Sequence, residues 1–149
     1  MDPDTIFRTV NLVALACWLV LLASPLHPPM AEWLAGLAIP LLLSVAYCGL
    51  IFAFWASGKG GFSSLDDVAH LFQTRQLLLA GWIHYLAFDL FVGAWIARTA
   101  RLEGIPFWAV VPCLAVTFLF GPAGFLLFNA IRSTKNVAAR QRPGRKAMP

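Results

Sequence analysis

Four apolar runs, each long enough to cross a bilayer, govern what this chain can fold into. A helix rises about 1.5 Å per residue, so about 20 residues span a hydrocarbon core of about 30 Å. Runs of that kind occupy residues 5–24, 33–56, 76–98 and 106–131. Inside a bilayer the backbone must satisfy its own hydrogen bonds, which leaves helices and closed barrels. Of the 149 residues, 60% are hydrophobic and 12% charged, far from the quarter charged of an ordinary soluble domain. The expected architecture is an all-α integral membrane four-helix bundle over residues 1–133. A basic tail over 134–149 is expected to be disordered.

Punctuation between the runs supports this division. Pro25, Pro28 and Pro29 close the first run, because proline lacks an amide donor. GKGG at 58–61 ends the second. Ser64 then stands three residues before Asp67, and Leu65, Val68, Ala69 and Phe72 recur at helical spacing. A short amphipathic helix over 64–73 is predicted there, lying at the interface and closing one end of the bundle. A cleaved leader is a competing account of the first run, but MDPDT carries no basic segment and no A-x-A pattern precedes the prolines.

Charge sets an expected orientation. In a simple up-and-down bundle, Arg8, Lys59, Arg75, Arg132, Lys135, Arg140, Arg142, Arg145 and Lys146 share one side. Only Arg98 and Arg101 fall on the other. Positive charge is retained in the cytoplasm, so both termini are predicted to be cytoplasmic, as in a bacterial inner membrane protein. The tail reads as a segment drawn to anionic membrane lipid and not as a nucleic-acid arm.

The stretch WIHYLAFDLF, residues 82–91, places two ionisable groups inside the third run. Counted from Gln76, His84 lies about 12 Å deep and Asp89 about 20 Å. A lipid-exposed aspartate there costs a few kcal/mol, so Asp89 should face the bundle. Tyr85 is its helical neighbour one turn back, with Trp82 beyond. His84 sits about 140° round the helix from Asp89, and the two line one cavity only if the flanking helices converge on it. The plainer alternative is hydrogen-bond glue between helices, with Asn11, Thr117 and Asn129 as partners. In the fourth run, FGPAG at 120–124 should break the bond to Phe118 and kink the helix. Close packing by its small residues is the alternative.

Other chemistries find little support. Cys17, Cys48 and Cys113 each lie in an apolar run and read as packing residues. Asp66, Asp67 and His70 with His84 and Asp89 are too sparse for a metal centre, and His27 falls on the opposite side. GKGGFSS lacks phosphate-loop spacing. Four spans give little room for alternating access, which weakens a transporter reading unless the chain oligomerises. Gly81, Gly93 and the small residues of FGPAG leave homo-oligomerisation open.

FSSLDDVAHLF, WIHYLAFDLFVGAWIAR and LFGPAGFLLF, in this order and spacing, resemble the plant neoxanthin-synthase-like family of the abscisic-acid-deficient-4 type. The resemblance covers roughly residues 5–133. It implies a carotenoid isomerase that opens an epoxide and creates an allene, a redox-neutral step needing no cofactor or metal. Such a step asks for an acid at the epoxide oxygen and a base at the neighbouring polyene carbon. His84 and Asp89 occupy matching motif positions as the acid–base pair, with Tyr85 orienting. Trp82, Phe88, Phe118 and Asn11 are the expected contacts to a long apolar polyene or lipid substrate. The alternative is a membrane protein that binds a carotenoid or lipid, or helps assemble a pigment complex, without catalysis.

Overall fold

The computed structural model describes residues 2–140. It is all-helical among them, with five helices: α1 Pro3–Leu22, α2 Pro28–Ser57, α3 Leu65–Leu71, α4 Arg75–Leu102 and α5 Phe107–Arg140. By length and composition α1, α2, α4 and α5 each suit a membrane span. The all-α membrane architecture read from the sequence therefore stands.

Local chemistry explains the boundaries. Asp2 caps α1 by accepting the Thr5 amide at 3.2 Å, with Pro3 at the first helical position. The prolines expected to end the first run also start the next: Pro28 opens α2, five residues earlier than the hydropathy suggests. A proline at the first position gives up an amide that would have no helical partner anyway. Pro40 then removes a donor within α2, and the preceding turn, Leu34–Ala38, is a π-helix in which the Ile39 amide reaches Leu34. Ser64 caps α3 through the Asp67 amide at 3.1 Å. Leu71 of α3 is buried beside Gly58, and Phe72 packs against Gly81 of α4.

α4 is the hub and packs against α1, α2 and α5. α1 runs parallel to it: Asp4 pairs with Arg75 at 2.6 Å and Trp82 donates to Asn11 at 3.2 Å, both 71 residues apart. α2 runs antiparallel, since Gly36 lies beside Ala94 while Tyr47 lies beside His84. Gly93 leaves room for the Trp18 ring of α1.

α5 does not cross the bundle once. Its backbone leaves helical geometry at Phe120 (φ −148°, ψ 67°). Beyond that residue, partner numbers on α5 and α4 rise together: Gly121 lies by Asp89, Phe125 by Trp95 and Arg132 by Glu103. A β-carbon on Gly124 would strike the backbone of Thr117, a position a continuous helix carries about two turns away. Residues 107–119 thus descend antiparallel to α4 and residues 121–135 return parallel to it. The kink expected at FGPAG is a helical hairpin.

That reversal decides where the described ends of the chain stand in the bundle. The start of α1 lies at one end of the bundle with Ser57 and Arg75, whereas Arg132 and Lys135 lie at the other beside Glu103. The described ends of the chain therefore do not share a side. Residues 134–140 continue α5 as helix, and the remainder of the tail, 141–149, lies outside the described residues.

Candidate functional site

The break in α5 sets the first arrangement. In an unbroken helix the Phe118 carbonyl would accept from residue 122 and the Leu119 carbonyl from residue 123. Pro122 has no amide to give, and the turn at Phe120 removes the other bond. Tyr85 of α4 supplies a replacement: its hydroxyl donates to the Leu119 carbonyl at 2.9 Å, with the Phe118 carbonyl at 3.3 Å. One turn along α4, Asp89 faces the start of the returning half, beside the Gly121 amide. A half-helix start carries unpaired amides and partial positive charge, which suits a carboxylate. Tyr85 and Asp89 therefore hold the two halves of one broken helix from a single face of α4.

Packing here is close. A β-carbon on Gly121 would land on the Asp89 carboxylate, and one on Gly124 would land on Thr117. Asp89 is 8% exposed, and its Oδ2 has no hydrogen-bond partner among the described residues. Non-helical backbone at membrane depth is tolerated only where protein or water covers it. Asp89 and Tyr85 stand against the turn and meet the polar backbone groups that it frees.

A row of polar and aromatic groups continues from this clamp. Trp82 packs 5.2 Å from Tyr85 and donates to Asn11, whose own amide nitrogen donates back to the Phe7 carbonyl at 2.7 Å. Phe118 meets Trp18 edge to face at 5.6 Å. Thr117 and Asn129 bond to carbonyls four residues back in their own helix, Cys113 at 2.7 Å and Phe125 at 2.8 Å. Neither serves as a partner for Asp89 or His84. The glycines considered for self-association are spent inside the chain: Gly81 on Phe72, Gly93 on Trp18, Gly121 on Asp89 and Gly124 on Thr117.

His84 leaves α4 on a different face. Its ring stacks on Phe88 at 4.6 Å and lies 5.6 Å from Tyr47 of α2. With Ser44 and Ala87 these residues line an open hollow of about 330 Å³. A second hollow of about 280 Å³ shares Ser44, Ala87 and Phe88 and extends past Leu41 to Leu37 and Phe91. Together they form an apolar groove between α2 and α4, flanked by exposed Leu37 and Leu41. The sequence expectation that His84 and Asp89 line one cavity is not met, because one side chain faces α2 and the other α5. Tyr85, Trp82, Phe118 and Asn11 gather on the Asp89 side, and Phe88 belongs with His84.

Tyr47 and Ser44 escaped the sequence reading. Both sit in a uniformly apolar run, where nothing local marks which face meets His84. A count from Tyr47 back to Pro28 against His84 forward to Leu102 would have placed them at similar depth, had α2 been started at its prolines. No group of three His, Cys, Asp or Glu side chains among the described residues is placed to hold a metal ion.

The fold and these two arrangements define a class: a small helical membrane protein whose last helix is discontinuous and clamped by an intramembrane aspartate, with a lipid-facing histidine groove on its other flank. The chain belongs to the ABA DEFICIENT 4-like family, which it matches over residues 5–128. No curated protein matches the chain. No solved structure does either.

Proposed function

We propose that this protein takes a long apolar polyene of the carotenoid class from the bilayer into the groove between α2 and α4, and isomerises it without redox change. The single observation that carries this reading is the position of His84, the one imidazole within a groove whose surface is otherwise aliphatic and aromatic apart from Ser44. From Gly36 to Tyr47 the groove follows α2 for about 16 Å, long enough to seat an extended chain. Family membership supports a neoxanthin-synthase-like protein, and epoxide opening is the reaction that this resemblance implies.

In that reaction the His84 ring donates a proton to the epoxide oxygen as the carbon–oxygen bond breaks. The same ring, having given up its proton, then takes one from the adjacent polyene carbon, whose electrons form the new double bond. Proton count and oxidation state are then unchanged. Tyr47, across the groove, is positioned to orient the oxygen or relay a proton. Asp89 and Tyr85 act on the other side of α4, holding the helix break and so keeping α4 in register. The test is conversion of an epoxidised carotenoid in membranes with protein levels matched. His84→Ala should abolish turnover and Asp89→Asn should retain most of it; full turnover in His84→Ala would end the proposal.

The second reading is a holder of carotenoid or lipid with no chemistry. It is favoured by the absence of a carboxylate lining the groove. Stoichiometric pigment retained through purification in mild detergent, with no conversion, would decide for it.

The hairpin also redirects the orientation. Arg8, Lys59 and Arg75 belong to one end of the bundle, and Arg98, Arg101, Arg132 and Lys135 to the other. The remaining basic residues follow Lys135 in the sequence. By the positive-inside rule we propose that this second end faces the cytoplasm of a bacterial inner membrane, with the start of α1 outside.

A further inference from the structure

At the end of the bundle where α1 stops and α5 begins, a hollow of about 330 Å³ opens that the groove does not include. Its floor is apolar: Leu21, Ala31, Ala94 and Ile105 are all buried. Its rim is charged. Arg101 pairs closely with Glu32 of α2, so its charge is answered within the fold. Arg98 is different. The nearest carboxylate oxygen, on the same Glu32, is 3.9 Å away, beyond hydrogen-bond reach, and the side chain is 64% exposed. Two guanidinium groups against one carboxylate leave the rim one positive charge in excess.

An apolar floor under a guanidinium that shares its carboxylate at long range and makes no hydrogen bond to it fits a molecule with a chain at one end and an anion at the other. The fork of Arg98 donors matches a carboxylate. The volume lies at the small end of ligand sites, enough for one short chain and not for a two-chain lipid body. One turn before the end of α4, Arg98 also lies where a membrane surface would present such a head group. Snorkelling alone would account for an arginine at this level, but not for the apolar hollow beneath it.

We infer that this hollow is a binding site for a single-chain carboxylate amphiphile of the fatty-acid class, with the carboxylate on Arg98 and the chain against Leu21 and Ala94. The inference is independent of the polyene groove, which lies on the other side of Ala94 along α4. Its effect would be to tie α1, α2 and the start of α5 together at one membrane surface.

The test uses the full-length protein in nanodiscs of zwitterionic lipid, with empty discs as the background. Dodecanoate and dodecanol are compared by titration calorimetry. The wild type should bind dodecanoate at least about tenfold tighter than dodecanol, as a charge-assisted hydrogen bond allows. Arg98→Gln should erase that preference while leaving dodecanol binding unchanged, and Arg98→Lys should restore part of it. Ala97→Phe, which fills the hollow, should weaken both. Equal binding of the two probes by the wild type, or a preference unchanged in Arg98→Gln, overturns the inference. Lysophosphatidate binding with no dodecanoate binding would overturn the carboxylate assignment. Elution as a single symmetric species checks that each variant is folded.

Discussion

Arg132 donates to both carboxylate oxygens of Glu103, at 2.8 Å each from its Nε, although the two residues are 29 apart in the chain. Lys135 reaches the Glu103 carbonyl as well. The returning half of α5 is thereby pinned to the turn from which the helix set out. This closure makes α5 a hairpin and moves the end of the described chain to the opposite side of the bundle from its start.

Accessibility at two positions tests the hairpin directly. With Cys17, Cys48 and Cys113 replaced, Ser64→Cys and Lys135→Cys should react with a membrane-impermeant thiol reagent from opposite sides of the membrane. Labelling of both from the same side would mean that α5 crosses once.

The Glu103 clasp should depend on pH. Hydrogen bonds from Arg132, with the charges of Arg132 and Lys135 beside it, hold the Glu103 carboxyl below the ordinary glutamate range. A carboxyl whose folded value is depressed contributes stability above its unfolded value near 4.3, and the contribution fades as pH falls through the folded value. Melting in detergent should therefore be flat from pH 8 to about 5 and drop below about 4. Glu103→Gln should remove that acid limb; an identical acid limb in the variant would refute the assignment.

Gly121→Ala tests the contact between Asp89 and the broken helix. The added carbon lands on the carboxylate, so one partner must move. A loss of about 1–3 kcal/mol is expected, the usual cost of overpacking a filled site. Combining it with Asp89→Ala should recover part of the loss, because the obstructing carboxylate is gone. Strictly additive losses in the double variant would show that the two positions do not touch.

Asp89→Asn should be mild and Asp89→Leu severe. Asparagine keeps an acceptor for the Gly121 amide, whereas leucine leaves that amide unpaired at membrane depth, at a cost of about 1–3 kcal/mol. Tyr85→Phe should cost about 1 kcal/mol through loss of its bond to the Leu119 carbonyl. These are read as detergent melting shifts at matched expression. Equal stability of Asp89→Leu and Asp89→Asn would contradict a capping role.

How far the sequence reaches can be judged residue by residue. The apolar runs, the cap at Ser64 and the inward face of Asp89 follow from hydropathy, spacing and the cost of a charge in lipid, all local properties. Tyr85 as its neighbour follows from the helical repeat. The relation of His84 to Asp89 does not, because an angle of about 140° on one helix is compatible with one cavity or two, depending on which helices stand on each side.

From the sequence alone, the chain is committed to the membrane, to helices and to a weak point at FGPAG, because burial in lipid leaves the backbone no other means of satisfying its hydrogen bonds. Whether that weak point bends or reverses the helix is decided elsewhere. A proline and two glycines permit either course. The reversal is selected by groups on α4 and its following turn, where Tyr85 takes the freed carbonyls, Asp89 meets the freed amide and Glu103 holds Arg132. Those partners lie tens of residues away, so their combined effect exists only once the helices are packed.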